Sequence, residues 1–372
     1  MMDTPSAQEL GTRGVVAMSG GVDSSVVAAM LAREGHEVVG ISMRLYETAP
    51  KSDRSCCSPD DLFDARSVAS SLGMPFYVAN YVDAFRARVM DYFVEEYKRG
   101  RTPNPCVACN NHLKFDTLLE RTRALGGAWL ATGHYARIEQ DGERWRLLRG
   151  VDRGKDQSYF LCGLPRPWLG QIRFPLGGMT KEQVRALAEA WGLDTARKPE
   201  SQEICFVTGN DYRAFVEERL QAQERIPGRV VHLNGEVLGQ HDGIHRFTVG
   251  QRRGLGIAAG DPIYVLRVDA HTGDVVVGPK DGLDCAGFIA DRPNWLRWEE
   301  APESFSAQVQ IRYRSSAVPA RAELLGAGRQ VRVTFEEPQR AIAPGQMAVF
   351  YDGEEVLGGA TIEMAYPTGG AA

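Results

Sequence analysis

Three groups of residues in this chain combine reactive types with telling spacing. Ser19-Gly20-Gly21-Val22-Asp23-Ser24-Ser25 packs three hydroxyls, a carboxylate and two adjacent glycines into one short stretch. Cys106-Val107-Ala108-Cys109 is a Cys-x-x-Cys pair, and Cys205 stands alone between Ile204 and Phe206. The first group suits a phosphate or pyrophosphate. A glycine turn leading into a helix aims backbone amides and the positive end of the helix dipole at one spot. Asp23 can hold Mg²⁺ or position the loop. A plain turn would account for Gly20-Gly21 but not for the hydroxyls and carboxylate beside them. The Cys-x-x-Cys pair is half of a zinc site, but a structural zinc wants four ligands, usually from two such pairs. No second pair exists, and His112 alone does not complete one, so no zinc is expected. A redox or nucleophilic thiol fits better. Cys205, read by itself, is a small buried hydrophobe, as are Cys162 and Cys285, and the adjacent Cys56-Cys57 reads as loop filler.

The elements around these groups follow from periodicity and punctuation. A short apolar run, Val15 to Met18, predicts a buried parallel strand, and Val22 to Glu34 predicts an amphipathic helix after the glycine turn. Strands are expected at 37–43, 75–80 and 129–132, with helices at 60–72, 83–98 and 116–125. In the helix at 83–98, Phe85, Val89, Phe93 and Tyr97 share one face. The two prolines of Thr102-Pro103-Asn104-Pro105 predict a rigid non-helical loop through the cysteine pair. Thr180-Lys181-Glu182-Gln183 reads as a capping box opening a helix. Alternating strands and helices imply a doubly wound, mostly parallel α/β sheet over 1–206, whose strand ending in Gly133-His134 delivers them to the ligand-binding edge. Beyond about 207 short strands and turns take over. They predict a small mixed central domain at 207–290 and an all-β barrel at 291–372. The tails, 1–10 and 368–372, are expected to be loose.

At 372 residues, 43% hydrophobic and 24% charged, the chain has an ordinary globular composition with room for two or three domains. No apolar run is long enough to span a membrane, and Met1 to Arg13 lacks the layout of a signal peptide, so a cytoplasmic protein with free, catalytic or metal-bound thiols is expected. Net charge is −5, which does not advertise nucleic-acid binding. Yet residues 307–342 hold six arginines (312, 314, 321, 329, 332, 340) against three glutamates (323, 336, 337), a local +3. That is enough for a basic face able to follow a phosphate backbone, and equally compatible with a solvated strand face.

The glycine loop matches neither the Gly-x-x-x-x-Gly-Lys-Ser/Thr nor the Gly-x-Gly-x-x-Gly pattern. It resembles the loop of N-type ATP pyrophosphatases, which cleave ATP between the α- and β-phosphates and adenylate an oxygen. Further segments narrow the resemblance: Thr102-Pro103-Asn104-Pro105 through Cys109-Asn110, Ala131 to Ala136, Lys155 to Leu161, Ser201 to Phe206, Thr248 to Gly256, and Gly345 to Ala348. In this order they resemble the bacterial tRNA-specific 2-thiouridylases over essentially the whole chain. The resemblance implies that ATP adenylates the C2 oxygen of the wobble uridine, pyrophosphate leaves, and sulfur from a cysteine persulfide replaces the oxygen. It maps the persulfide onto Cys205 and the second catalytic thiol onto Cys109, which attacks and leaves a Cys109–Cys205 disulfide. This reverses the residue-only reading of Cys205. It assigns ATP binding to Ala17, Met18, Ser19, Gly20, Gly21, Val22, Asp23, Ser24, Met43 and Gly133. It assigns tRNA contacts to His134, Lys155, Asp156, Gln157, Arg312, Tyr313 and Gln346. It also implies Mg²⁺, tRNAs for Lys, Glu and Gln, a sulfur-donor protein of a cysteine desulfurase or relay system, and extrusion of the wobble base.

One position departs from the pattern. Where the family has Asp-x-x-Cys, this chain has Cys106. Cys106 is then a spare thiol, or else Cys106, Cys109 and Cys205 hold an iron–sulfur cluster with one open iron. Two other functions are separable. A ligase for a small molecule on the same fold would keep its product yield after Cys109→Ser or Cys205→Ser. A tRNA-binding protein with a vestigial loop would release no pyrophosphate.

Overall fold

The computed structural model describes residues 13–46, 59–199, 204–207, 209, 211–257 and 261–368. Cys56, Cys57, Ser201 to Glu203 and nearly all of both tails lie outside them. The described chain forms two compact units, residues 1–88 with 106–210 and 354–356, and residues 89–105 with 211–353 and 357–372.

The first unit carries the parallel sheet. In chain order it contains β1 (Arg13–Ala17), α1 (Val22–Arg33), β2 (Glu37–Arg44), α2 (Pro59–Ser71), β3 (Phe76–Asn80) and the short α3 (Val82–Phe85). Helix α4 (Asp91–Lys98) belongs to the second unit. The first unit resumes with α5 (Pro105–Cys109), α6 (Asp116–Ala124), β4 (Trp129–Ala131), the hairpin β5 (Ala136–Asp141) and β6 (Arg144–Arg149), β7 (Ile172–Arg173) and α7 (Lys181–Ala190). Its sheet runs β3-β2-β1-β4-β7, with every pairing parallel. The doubly wound α/β expectation is met.

Two local expectations need correction. The helix after the glycine turn is not amphipathic. Ser24, Ser25, Val26, Val27, Ala28 and Ala29 are buried in succession, because α2 and α7 pack against α1 in addition to the sheet. A helix covered on several sides has no polar face to alternate with. The cysteine pair does not lie in a non-helical loop either. Pro105 opens α5, the position at which a missing amide costs nothing. The helix then runs through a π segment, Asn110–Phe115, into α6. A second π segment, Arg86–Met90, interrupts the helix expected at 83–98, although Phe85, Val89, Phe93 and Tyr97 are all buried as expected.

The second unit contains α4, α8 (Tyr212–Glu217) and two β structures. Strands β8 (Gly228–His232), β9 (Val237–His241), β10 (Tyr264–Val268) and β11 (Val275–Gly278) form a sheet in the order β10-β11-β8-β9, over a core that includes Val230, Phe247, Val265 and Val277. Strands β12 (Asp284–Trp295), β13 (Ser304–Gln310), β14 (Val318–Leu325), β15 (Gln330–Arg340), β16 (Met347–Asp352) and β17 (Glu355–Pro367) follow in the order β12-β15-β14-β13-β16-β17. Antiparallel pairing of β17 with β12 closes the barrel, which is filled by Phe288, Val309, Val333, Phe350 and Ile362. Closure removes the exposed edges of the sheet.

Candidate active site

Strand β1 lies between β2 and β4, so the sheet's winding reverses beside it. The loops after β1 and β4 leave the carboxyl edge side by side, at the switch point where open α/β sheets hold ligands. Gly20 in the first loop has φ +73°, and a Cβ there would lie 2.0 Å from the Asp61 carbonyl oxygen, so only glycine fits. Gly133, in the second loop, lies so close that a Cβ would come within 3.0 Å of Asp23 and 3.1 Å of Ser24.

Hydroxyls brace the turn. Ser24 Oγ accepts from the Ser19 amide at 3.1 Å and donates to the Gly21 carbonyl at 3.2 Å, while Ser25 Oγ donates to the same carbonyl at 2.9 Å. Gly21 is the N-cap of α1 and brings no side chain onto the first amides of that helix. The turn therefore presents amide hydrogens and the positive end of a helix dipole, the features an anion needs.

Two lysines hold this loop, and sequence reasoning missed both roles. Lys181 Nζ donates to both Asp23 oxygens, at 2.7 and 2.8 Å, and Tyr135 Oη donates to Asp23 Oδ1 at 2.8 Å. The Asp23 carboxylate is thus held by the Lys181 ammonium and the Tyr135 hydroxyl. Lys198 Nζ bonds the Gly20 carbonyl at 3.1 Å, Asp61 at 2.6 Å and Asp64 at 2.5 Å, and the two carboxylates hold its pKa above the ordinary lysine value. Lys181 is the first residue of the capping-boxed α7, with Thr180 and Gln183 bonded reciprocally as the sequence predicted. Its position there was legible; its reach to Asp23 was not.

The thiols differ in setting. Cys106 is exposed, Cys109 buried and Cys205 partly buried. Asn110, next to Cys109, donates from Nδ2 to the Phe160 carbonyl at 3.1 Å, which ties the cysteine helix to its own unit. Tyr46 Oη lies 3.1 Å from Cys205 Sγ, so the partly buried Cys205 has a polar partner as well as the apolar neighbours its sequence shows. Cys162 does behave as a core thiol, its pKa pushed up to about 12 by burial. Among the described residues no group of three His, Cys, Asp or Glu side chains could hold a metal.

The residues for which the resemblance implies tRNA contacts fall in both units. In the first, Asp156 is buried and accepts from the Gly150 amide, the Ser158 amide and hydroxyl, and Arg149. Gln157 accepts from the Tyr135 amide at 2.9 Å. Both side chains knit the segment that carries Lys155. His134 Nδ1 meets Thr132 Oγ1 at 2.6 Å, and its ring packs against Phe115 and Phe174. Met43 lies near the carboxyl end of β2. In the second unit, Gln310 Nε2 donates to the carbonyls of Arg312 and Tyr313 at 3.2 and 2.8 Å, shaping the turn that exposes Arg312 and Arg314. Gln346 donates to the Thr102 and Pro103 carbonyls at 2.9 and 3.2 Å, which makes it more than a turn residue. The basic stretch is partly neutralised, since Arg321 pairs with Glu323 and Arg340 with Asp284.

Desolvation, helped by the charge on Lys114, pushes the His134 pKa well below 6.5. Unfolded histidine titrates near 6.5. The unfolded chain then binds the extra proton first, so His134 supports full stability above about pH 6.5 and less as pH falls toward its depressed value. Melting temperature measured against pH is expected to fall in this window, and less steeply in His134→Gln.

Similarity to known proteins runs along the whole chain. Residues 12–209 match a family model described as the tRNA methyl transferase HUP domain. Residues 213–279 match its PRC-barrel domain, and residues 285–362 an aminomethyltransferase beta-barrel domain. The tRNA-specific 2-thiouridylase MnmA of Geobacter metallireducens is 52% identical over 364 residues, covering 96% of this chain and 98% of that one. The protein of the same name from Carboxydothermus hydrogenoformans is 52% identical over 355 residues, covering 94% and 97%. Among solved structures, the U34-tRNA thiolase NcsA from Methanococcus maripaludis aligns at 17% identity and a TM-score of 0.36, over 57% of this chain and 66% of that one.

Proposed function

The chain belongs to the family of tRNA-specific 2-thiouridylases, and on that premise we propose that the Ser19–Ser24 loop binds ATP while Cys205 carries the sulfur and Cys109 resolves the transfer. The enzyme is an ATP-dependent tRNA sulfurtransferase. The observation that carries the site reading is the braced turn at the switch point, with uncapped α1 amides at its end. Those amides and the hydroxyl of Ser19 bind phosphate oxygens, and Met43 and Gly133 border the nucleotide. A uridine C2 oxygen is a poor leaving group. Its adenylate is a good one, which is why ATP is consumed.

The sulfur steps balance without an external oxidant. The terminal sulfur of the Cys205 persulfide bonds to C2 as the C2–O bond breaks and AMP leaves. The Cys109 thiolate then attacks Cys205 Sγ. The S–S bond to the former terminal sulfur breaks, its electron pair stays on the tRNA sulfur, and a Cys109–Cys205 disulfide forms. A reductant of the thiol class restores both cysteines.

Lys155, His134 and the exposed turn at Arg312 and Tyr313 contact the tRNA, and Gln346 with the 102–103 carbonyls shapes the approach to it. Asp156 and Gln157 act by positioning Lys155. The division is a catalytic domain at 1–206, a small central domain at 207–290 and a tRNA-binding β-barrel at 291–372. Wobble uridines of the Lys, Glu and Gln tRNAs are the substrates, and a persulfide-bearing protein is the donor. Among the described residues no helix is long and apolar enough to cross a membrane, and a cytoplasmic site of action suits the substrate. Mg²⁺ is read as travelling with the phosphates of ATP, because Asp23 in its ion pair does not fit as a ligand. A second reading, an iron–sulfur cluster on Cys106, Cys109 and Cys205, draws only on Cys106 replacing the family's aspartate. The arrangement of the described residues does not fit it.

The test is nucleoside mass spectrometry of tRNA after incubation with ATP, Mg²⁺ and a persulfide source. ATP-dependent 2-thiouridine supports the reading, and its absence defeats it. Iron and sulfide assays on anaerobically purified enzyme decide the second reading: full activity without iron sinks it.

A further inference from the structure

Cys205 has a partner that the chemistry above does not use. Tyr46 Oη donates to Cys205 Sγ at 3.1 Å. Tyr46 lies just past the end of β2, and Arg44 Nε donates to its carbonyl at 3.2 Å. Its ring stands edge-on to Phe85 at 5.3 Å, and Phe85 stands edge-on to Phe206 at 5.7 Å. Phe85 is fully buried and Phe206 nearly so. Phe206 adjoins Cys205 in the chain, so three interlocked rings fix hydroxyl and sulfur at the two ends of one aromatic cluster. All of these residues belong to the first unit.

We propose that Tyr46 is a positioning residue for sulfur loading: its hydroxyl holds the Cys205 thiolate and orients it toward an incoming persulfide. The proposal rests on the reading of Cys205 as the sulfur carrier. A hydrogen bond donated to a thiolate favours the charged form, and the thiolate is the nucleophile in sulfur exchange. In loading, Cys205 Sγ attacks the sulfane sulfur of a donor persulfide. The new Sγ–S bond forms as the donor's S–S bond breaks, and the electron pair leaves on the donor cysteine, which takes up a proton. Tyr46 gives up no proton in this step. It stabilises the attacking thiolate and limits its directions of approach. The same β2 segment carries Met43, at the nucleotide, so one strand end serves both activation and sulfur supply.

Tyr46→Phe tests this, because it keeps the ring against Phe85 and removes only the donor. Iodoacetamide labelling of Cys205, followed by peptide mass spectrometry across pH 6 to 10, reads the thiol directly. In Tyr46→Phe the labelling curve is expected to shift upward by about half to one pH unit, with labelling near pH 7 slowed roughly 3- to 10-fold. Persulfide loading from a small-molecule persulfide should slow by a similar factor, while tRNA-dependent pyrophosphate release stays unchanged. An unshifted labelling curve with wild-type loading overturns the role of Tyr46. Formation of 2-thiouridine by Cys205→Ser would instead overturn the underlying assignment of Cys205, so the two failures are distinguishable.

Discussion

Replacing Cys205 with serine is expected to remove sulfur transfer by about 10³-fold or more, while tRNA-dependent pyrophosphate release stays within about twofold of wild type. The size follows from what serine lacks. A hydroxyl near its ordinary pKa neither accepts a sulfane sulfur nor holds a persulfide, and loss of a covalent nucleophile is among the largest single-residue effects in enzymes. The separation of the two readouts follows from the fold. On the proposed reading, activation depends on the turn at the switch point, which is braced by Ser24, Ser25, Lys181 and Lys198. Cys109→Ser should give the same split for a different reason: the sulfur reaches C2 but stays bonded to Cys205, and the mixed tRNA–enzyme species accumulates. Fluorescent detection of pyrophosphate beside nucleoside mass spectrometry reads both variants. Parallel loss of the two activities would place the cysteines in activation and contradict the division of labour.

The second large effect is at Lys181. Its ammonium is nearly buried and sits on both oxygens of Asp23. Lys181→Met leaves that carboxylate, among the described residues, with the Tyr135 hydroxyl, beside the loop proposed to bind phosphate. Breaking a fully buried pair costs about 3–5 kcal/mol of stability, and Asp23 is about a third exposed, so a smaller loss of about 2–3 kcal/mol is expected. Separately, a loop displaced from its position should slow pyrophosphate release by up to about 10²-fold. Adding Asp23→Asn to Lys181→Met should recover part of the loss, because the stranded charge is then gone. No recovery in the double variant would mean that the lysine acts on the nucleotide itself rather than through Asp23. Persulfide loading on Cys205 should survive Lys181→Met.

Much of this site can be read from the chain, for physical reasons that differ by residue. The glycine turn was legible because it is local: a strand, a turn with positive φ and a helix start lie within one short stretch. The capping box at Thr180 was legible for the same reason. The cysteine helix was misread because two prolines suggested a loop, whereas Pro105 occupies the first helical position, the one place a helix accepts it freely. Helix α1 was misread as amphipathic because its short sequence does not reveal that α2 and α7 both cover it. Lys181, Lys198, Tyr135 and Tyr46 could not be found from spacing at all. Each meets its partner across more than a hundred residues of chain, and no local pattern encodes such a meeting. Cys205 shows the limit most clearly: Phe206 beside it packs through Phe85 against the ring of Tyr46, whose hydroxyl meets the sulfur.

The most direct test of the central claim is a single turnover with persulfide-loaded enzyme, ATP and tRNA, no reductant, and peptide mass spectrometry of the cysteines after quenching. The account predicts one Cys109–Cys205 disulfide for each 2-thiouridine formed. Formation of 2-thiouridine with Cys109 and Cys205 both still free thiols would contradict it.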